Sequence, residues 1–493
     1  MQRKKGIIWI VVSCLMIAAL VLSSCAPATT PTTPTMPTTP TTPTTPTTPT
    51  TPTTPTVPSG PEMVNISLTK LDGTPVEKTI EAPQYGGSAI IAAQSATWGW
   101  DDFFQSSARS YPLNLTQNQL IHGDWTRGPV GTGEATWWSQ AWYPQFETGA
   151  LAESWEIPDA NTIIYHIRQG VHWQDVPPVN GREFTADDVA FNLNRILLGK
   201  SYLAPSVGIG KWFISAEAVD KYTVVLKGEQ TTAGTPFAFS EISGRTYMNP
   251  PEVIEQYGDM RDWRNVVGTG PFILEDVVEG SSVTFKRNPN YWGTDPLLPE
   301  YQLPYLDSVK MLFINDASTR LAALRTYKVD VVRDVGWEDA EGMQRANPEL
   351  MFLKELQGVY ETGLFYRWGE KPFDDIKVRR ALAMAIDRPA ILRDYYGGNA
   401  QLPGMPAANI PDLSNVFVPV DQLPESTREL YEYHPDKAKQ LLAEAGYPDG
   451  LEFTAVIYDL QQDLASIYKA DLAKIGVDMT LDLKEYSVYR SMV

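Results

Sequence analysis

Residues 151–173 read Leu151-Ala152-Glu153-Ser154-Trp155-Glu156-Ile157-Pro158-Asp159-Ala160-Asn161-Thr162-Ile163-Ile164-Tyr165-His166-Ile167-Arg168-Gln169-Gly170-Val171-His172-Trp173. Ile163 to Ile167 is β-branched and aromatic, and it predicts a strand. Twelve residues beyond the stretch, Thr185-Ala186-Asp187-Asp188 has the form of a capping box. Its hydroxyl and the carboxylate three residues on can satisfy amides that a helix start leaves free. Val189, Leu193, Ile196 and Leu197 then share one helical face. A strand feeding a capped amphipathic helix points to a mixed α/β or α+β chain.

The same alternation runs outward in both directions. Met63 to Thr69 and Val76 to Ala82 alternate apolar and polar residues around Asp72-Gly73, a hairpin signal. Val283 to Lys286 reads as a strand, and Ala317, Leu321 and Leu324 share a helical face. After Pro372-Phe373-Asp374-Asp375, a helix carries Val378, Ala381, Leu382, Ala385 and Ile386 inward. Pro435 to Ala445 is a helix with Gly446 as its stop. Leu464 to Ile475 and Val477 to Leu483 add a helix and a strand.

The chain has 493 residues, 43% of them hydrophobic, enough for two or three domains with a large core. Its formal net charge is −19, which argues against nucleic acid as a partner, because phosphate binding needs clustered Lys and Arg. Both cysteines, Cys14 and Cys25, fall in the first 25 residues, so the body has no disulfide framework and no cysteine metal site. Arg3, Lys4 and Lys5 precede an uncharged apolar run, Gly6 to Leu22, in the order of a secretory signal. Leu22-Ser23-Ser24-Cys25 resembles a bacterial lipobox, which implies lipidation at Cys25; an uncleaved membrane anchor is the alternative. Residues 29–58 are almost wholly Thr and Pro. Proline fixes φ and donates no hydrogen bond, so this tract suits an extended spacer between membrane and body.

Catalytic signatures are lacking: there is no Gly-x-Ser-x-Gly elbow, no His-Glu-x-x-His and no Walker loop. His166 and His172 stand too far apart along a strand end to be a good ligand pair, so no metal and no cofactor is expected. The acidic pairs Asp101-Asp102, Asp187-Asp188 and Asp374-Asp375 suit helix caps or water better than acid–base chemistry.

Taken in order, several of these segments resemble the family 5 solute-binding proteins of ABC importers, the peptide- and nickel-receptor family. The segments are Tyr85 to Ser88, Leu151 to Trp155 with Tyr165 to Trp173, Phe184 to Val189, Gly268-Thr269-Gly270-Pro271-Phe272, Arg287 to Trp292, Asp374 to Asp387 and Ala438 to Gly446. The resemblance implies an α/β, two-lobed periplasmic-binding-protein-like fold (type II, cluster C) with an extra domain inserted in lobe one. It divides the chain into a signal peptide (1–25), a linker (26–60), an accessory hairpin (61–83), a main domain of lobe one (84–115 and 240–355), its inserted domain (116–239) and lobe two (356–493). It implies a non-enzymatic, extracytoplasmic receptor, lipid-anchored, that encloses a peptide-like or other small solute and delivers it to a permease and ATPase. A secreted polysaccharide hydrolase and a cell-surface structural protein are the alternatives. Trp98 and Trp100 after the first strand, Trp337 after Val329 to Val332, and Tyr360 near the lobe crossing are the expected cleft residues. Three departures from the family pattern stand out, one of them Arg367, where the family often has Asn a few residues before the Pro-Phe-x-Asp turn. Tyr327 replaces the glycine that usually ends the helix at Ala322 to Thr326, so a strained or shifted stop is expected there. The Trp-x-x-Asp-Tyr segment of peptide-binding relatives is not reached by Val493, so a longer gene product is expected.

Overall fold

The computed structural model describes residues 61–70, 72–94, 99–104, 112–128, 147–208, 210–229, 234–333, 335–354, 363–402 and 418–485, with 488, 489 and 492. The expected lipidation site at Cys25, the Thr-Pro tract, Trp98 and Tyr360 lie outside the described residues.

Two sheets organise the first lobe. A five-stranded sheet runs in the order β10 (Phe272–Val278), β11 (Ser282–Arg287), β12 (Ser308–Phe313), β3 (Ser88–Ala93), β13 (Val331–Val332). β10, β11 and β12 pair antiparallel, and β3 lies parallel to both β12 and β13. A four-stranded antiparallel sheet, β6 (Ala152–Asp159), β7 (Thr162–Ile167), β9 (Thr223–Gly228), β8 (Phe213–Asp220), contains the stretch quoted first. Helix α1 (Ala186–Leu198) covers it with Val189, Leu193, Ile196 and Leu197 buried. The capping box forms: the Thr185 amide donates to Asp188 Oδ2 at 2.9 Å. Asp188 also takes both ends of the Arg182 guanidinium, at 2.6 and 2.8 Å, so this cap is an ion pair as well.

A hairpin of β1 (Met63–Thr69) and β2 (Pro75–Glu81) pairs in continuous register, and Asp72 accepts from the Thr74 amide at 2.8 Å in its turn. Ile66 and Leu68 of this hairpin bury against Leu298. β4 (Ile121–Gly123) and β5 (Glu147–Gly149) form a separate, short antiparallel pair.

The helix α2 (Ala317–Arg325) starts at Asp316, whose side chain accepts from Thr319 N. It is followed by Tyr327 at φ 54°, so the left-handed stop is held by a tyrosine. Helix α3 (Trp337–Ala346) follows β13. The second lobe has its own core, where α4 (Ile376–Met384), α5 (Pro435–Glu444), α6 (Gln462–Ala473) and the parallel strands β14 (Leu451–Ile457) and β15 (Val477–Leu483) meet. Val378, Ala381, Leu382, Ala385 and Ile386 are all buried there. Gly446 adopts φ 93° after α5, as a helix-ending glycine should. Among the described residues, no helix is long and apolar enough to cross a membrane.

Candidate functional site

The carboxyl ends of parallel strands are where open α/β sheets place ligands. In lobe one those ends belong to β12, β3 and β13. Asp330 ties the last two strands together: Ile90 N donates to its Oδ2 at 2.7 Å, and its own amide donates to Ile90 O at 2.8 Å. Five residues past β13, Trp337 opens α3. Its indole Nε1–H donates to the carbonyl oxygen of Tyr395 at 3.2 Å, in a π-helical turn (Ile391–Tyr395) of lobe two. The ring lies against Gly397, where a Cβ would come within 2.5 Å of Cη2. Lys354 donates to Asn399 Oδ1 at 2.5 Å nearby. The carboxyl edge of the lobe-one sheet therefore abuts lobe two through Trp337.

Trp100 takes a different position. It is 6% exposed and sits in the core under β11 and β12, edge-on to Phe285 at 6.4 Å. The next two residues pull it inward. Asp101 accepts from Arg195 at 2.6 and 3.0 Å, from Asn249 and from the Met260 amide. Asp102 accepts from the Tyr247 amide at 2.9 Å, and burial pushes its carboxyl well above the ordinary range. Both carboxylates are buried, so this pair neither caps a helix nor faces water. His166 and His172 are held separately, by Glu156 and by the Gly181 carbonyl.

A second concave region lies within lobe one, a cavity of about 1180 Å³ between the 114–119 segment, the β4–β5 pair and residues 291–294 and 303–306. The Gly-Thr-Gly motif shapes its back wall. A Cβ on Gly268 would meet Thr116 O at 1.9 Å, and one on Gly270 would meet Thr116 C at 2.5 Å, so only glycine allows the 115–117 backbone this close. Gln174 fastens the contact, donating to Phe272 O at 2.7 Å and accepting from Gly268 N. Asn288 of the Arg-Asn-Pro motif donates to Gly270 O at 3.0 Å.

The cavity's charged walls are unequal. Arg168 donates to the carbonyls of Ala150 and Gly149 and stacks 5.1 Å over Trp292. Trp292 donates to Asn118 Oδ1 at 3.3 Å. His122 Nδ1 lies 2.8 Å from the Gly123 carbonyl oxygen, and burial pushes the imidazole's pKa down. Among the described residues, Glu147 has no hydrogen-bond partner on either carboxyl oxygen, and burial pushes its pKa to about 8. The sequence offered no cue to Glu147, because one acid in a three-residue strand breaks no periodicity.

A family model for bacterial extracellular solute-binding proteins, family 5, matches residues 148–492. The chain is 30% identical over 371 residues to heme-binding protein A of Haemophilus influenzae, covering 69% of this chain and 62% of that one. It is 29% identical to the dipeptide-binding protein of Escherichia coli, covering 69% and 64%. Its fold matches the ABC transporter-associated periplasmic binding protein DppA from Helicobacter pylori in complex with the peptide STSA. The TM-score is 0.62, with 24% identity, 82% of this chain and 75% of that one covered. This chain belongs to the family 5 bacterial extracellular solute-binding proteins. Its fold is the two-lobed one of periplasmic binding proteins. It spans less than two thirds of the length of the two curated relatives.

Proposed function

We propose that this chain is the lipid-anchored extracytoplasmic receptor of an ABC importer. It captures a peptide-like or other small solute between its lobes and passes it to a permease and ATPase without chemically altering it. The observation that carries the reading is the seat of Trp337. Its indole, five residues past β13, meets the Tyr395 carbonyl, which supports a solute seat where both lobes can be touched at once. Contacts to both lobes favour the closed arrangement, and ligand then shifts an opening equilibrium. The family supports the receptor class, and the names of relatives such as the dipeptide-binding protein support peptide-like cargo. Trp337 is a proposed cleft residue, together with Trp98 and Tyr360; Trp100 supports the sheet from beneath.

The test is native purification followed by mass spectrometry of what the protein releases on denaturation. A stoichiometric small solute, with a smaller scattering radius when it is re-added, supports the reading. A chain that co-purifies with nothing, and binds no member of a di- and tripeptide library, overturns it.

A further inference from the structure

Arg168, on the wall of the lobe-one cavity, is a cation that no carboxylate pairs with among the described residues. Its Nε donates to Ala150 O at 2.9 Å and its Nη2 to Gly149 O at 3.4 Å, and its plane lies 5.1 Å over the Trp292 ring. A guanidinium has five N–H groups in a rigid, planar fork. Nε and Nη2 share the side edge of that fork, so the two carbonyls occupy the side edge. The end edge, formed by Nη1 and the second Nη2 hydrogen, has no protein acceptor among the described residues. Nη1 is also not among the side-chain atoms closed off from solvent, as the Glu147 oxygens are. Stacking on Trp292 fixes the plane in which the end edge lies.

No other wall group cancels this charge. The Glu147 oxygens are shielded from the space, and Arg245 pairs with Glu241 at 3.2 Å. Glu153 lines the cavity but is exposed and makes no ion pair with Arg168. Beside the guanidinium, Tyr291 and Trp292 lie 5.4 Å apart, and Tyr305 also faces the space. The end edge of an arginine matches the two oxygens of a carboxylate, and aromatic walls match a flat apolar body.

We propose that this cavity seats the carboxylate of a small aromatic acid, gripped end-on by Arg168. The claim rests on the receptor reading and narrows it: the part of the solute that lobe one takes is an anion with a flat apolar body. The complex holds one negative charge opposite one positive charge, and no proton is taken up or released.

The experiment is titration calorimetry of the full chain at pH 7 with phenylacetate, phenylacetamide and benzylammonium, which share a ring and differ in the charge of the head. Phenylacetate should bind about tenfold or more tighter than the neutral amide, the margin of a charge-assisted hydrogen-bond pair over a neutral one. Benzylammonium should give no saturable heat. Arg168→Lys keeps the charge but loses the fork, and it should narrow the gap between phenylacetate and phenylacetamide. The three-ligand series on the unaltered protein decides the matter even if that variant folds poorly. No saturable heat with phenylacetate, equal binding of the amide, or an unchanged gap in Arg168→Lys overturns the site. A co-purifying solute that carries no acid group would also overturn it while leaving the receptor reading in place. Phenylacetate binding by a chain that captures no solute would uphold the Arg168 seat and count only against the receptor reading.

Discussion

The indole of Trp337 donates to the backbone carbonyl of Tyr395 across 3.2 Å, so a residue that opens a lobe-one helix is fastened to a π-helical turn of lobe two. A backbone acceptor ties this bond to the turn's conformation, so a rotamer change in Tyr395 would leave it intact. Trp337→Ala should weaken solute binding about tenfold, close to 1.4 kcal/mol. Fluorescence titration with the identified solute measures it, and unchanged affinity would remove Trp337 from the cleft.

Gly397 makes that seat possible, with φ 56° and a missing Cβ beneath the ring. Gly397→Ala adds both backbone strain and overlap with Trp337. We expect a loss of about 1–3 kcal/mol, the usual range for overpacking, read as a lower urea midpoint. A midpoint equal to that of the unaltered chain would show that the ring has room to move aside.

Asp101 and Arg195 form an ion pair in which the carboxylate is fully buried. Asp101→Asn leaves the guanidinium short of its counter-charge and should cost about 3–5 kcal/mol. Conservation of charge at a buried pair matters more than conservation of shape, so Asp101→Asn should destabilise far more than Asp187→Asn on the exposed side of α1. Chemical denaturation of the two variants side by side tests the ranking.

Glu147 makes stability depend on pH in a defined direction. Its folded-state pKa is about 8 against an ordinary 4.5. Between those values the folded chain keeps a proton that the unfolded chain has lost, so this group subtracts stability as pH rises from 4.5 towards 8. Glu147→Gln removes the dependence. The variant's melting temperature should exceed that of the unaltered chain at pH 8 and match it near pH 4.5. A gain that is the same at both pH values would mean that the carboxyl is not held protonated.

Cys25→Ser should release the protein from membranes or leave its leader unprocessed. Each buried acyl CH₂ contributes about 0.8 kcal/mol, and stable anchoring takes more than one chain. Membrane fractionation with unchanged processing and retention in the variant would sink the lipid-anchor proposal.

Local chemistry carried far in this sequence where a residue's role is set by its immediate neighbours. Asp72-Gly73 marked a hairpin, Thr185 with Asp188 a helix start, and Val378 to Ile386 a buried face, because each depends on backbone geometry within a few residues. Tyr327 was legible for the same reason: a helix stop without glycine still has to turn left-handed. Trp100 was not, because it is buried against Phe272, Phe285, Val309 and Met311, all far along the chain. Glu147 was hidden similarly. The cavity beside it is lined by segments from Asn114 to Val309, and none of them announces in sequence that it stands near an acid.

The central position of β3 bears on how the chain is made. Its two neighbours, β12 and β13, come from more than two hundred residues downstream; Ser88 and Ser308, side by side in the sheet, are separated by 220 positions. In a chain threaded out of the cell amino end first, β3 emerges early and waits with both edges unmet while the four-stranded sheet forms behind it. Closing such long loops before contacts reward them makes folding slow and leaves strand edges open to wrong partners. Export of this protein should therefore lean on holding chaperones until residues beyond Val332 have crossed, and its yield should fall more steeply with temperature than its melting point alone would suggest.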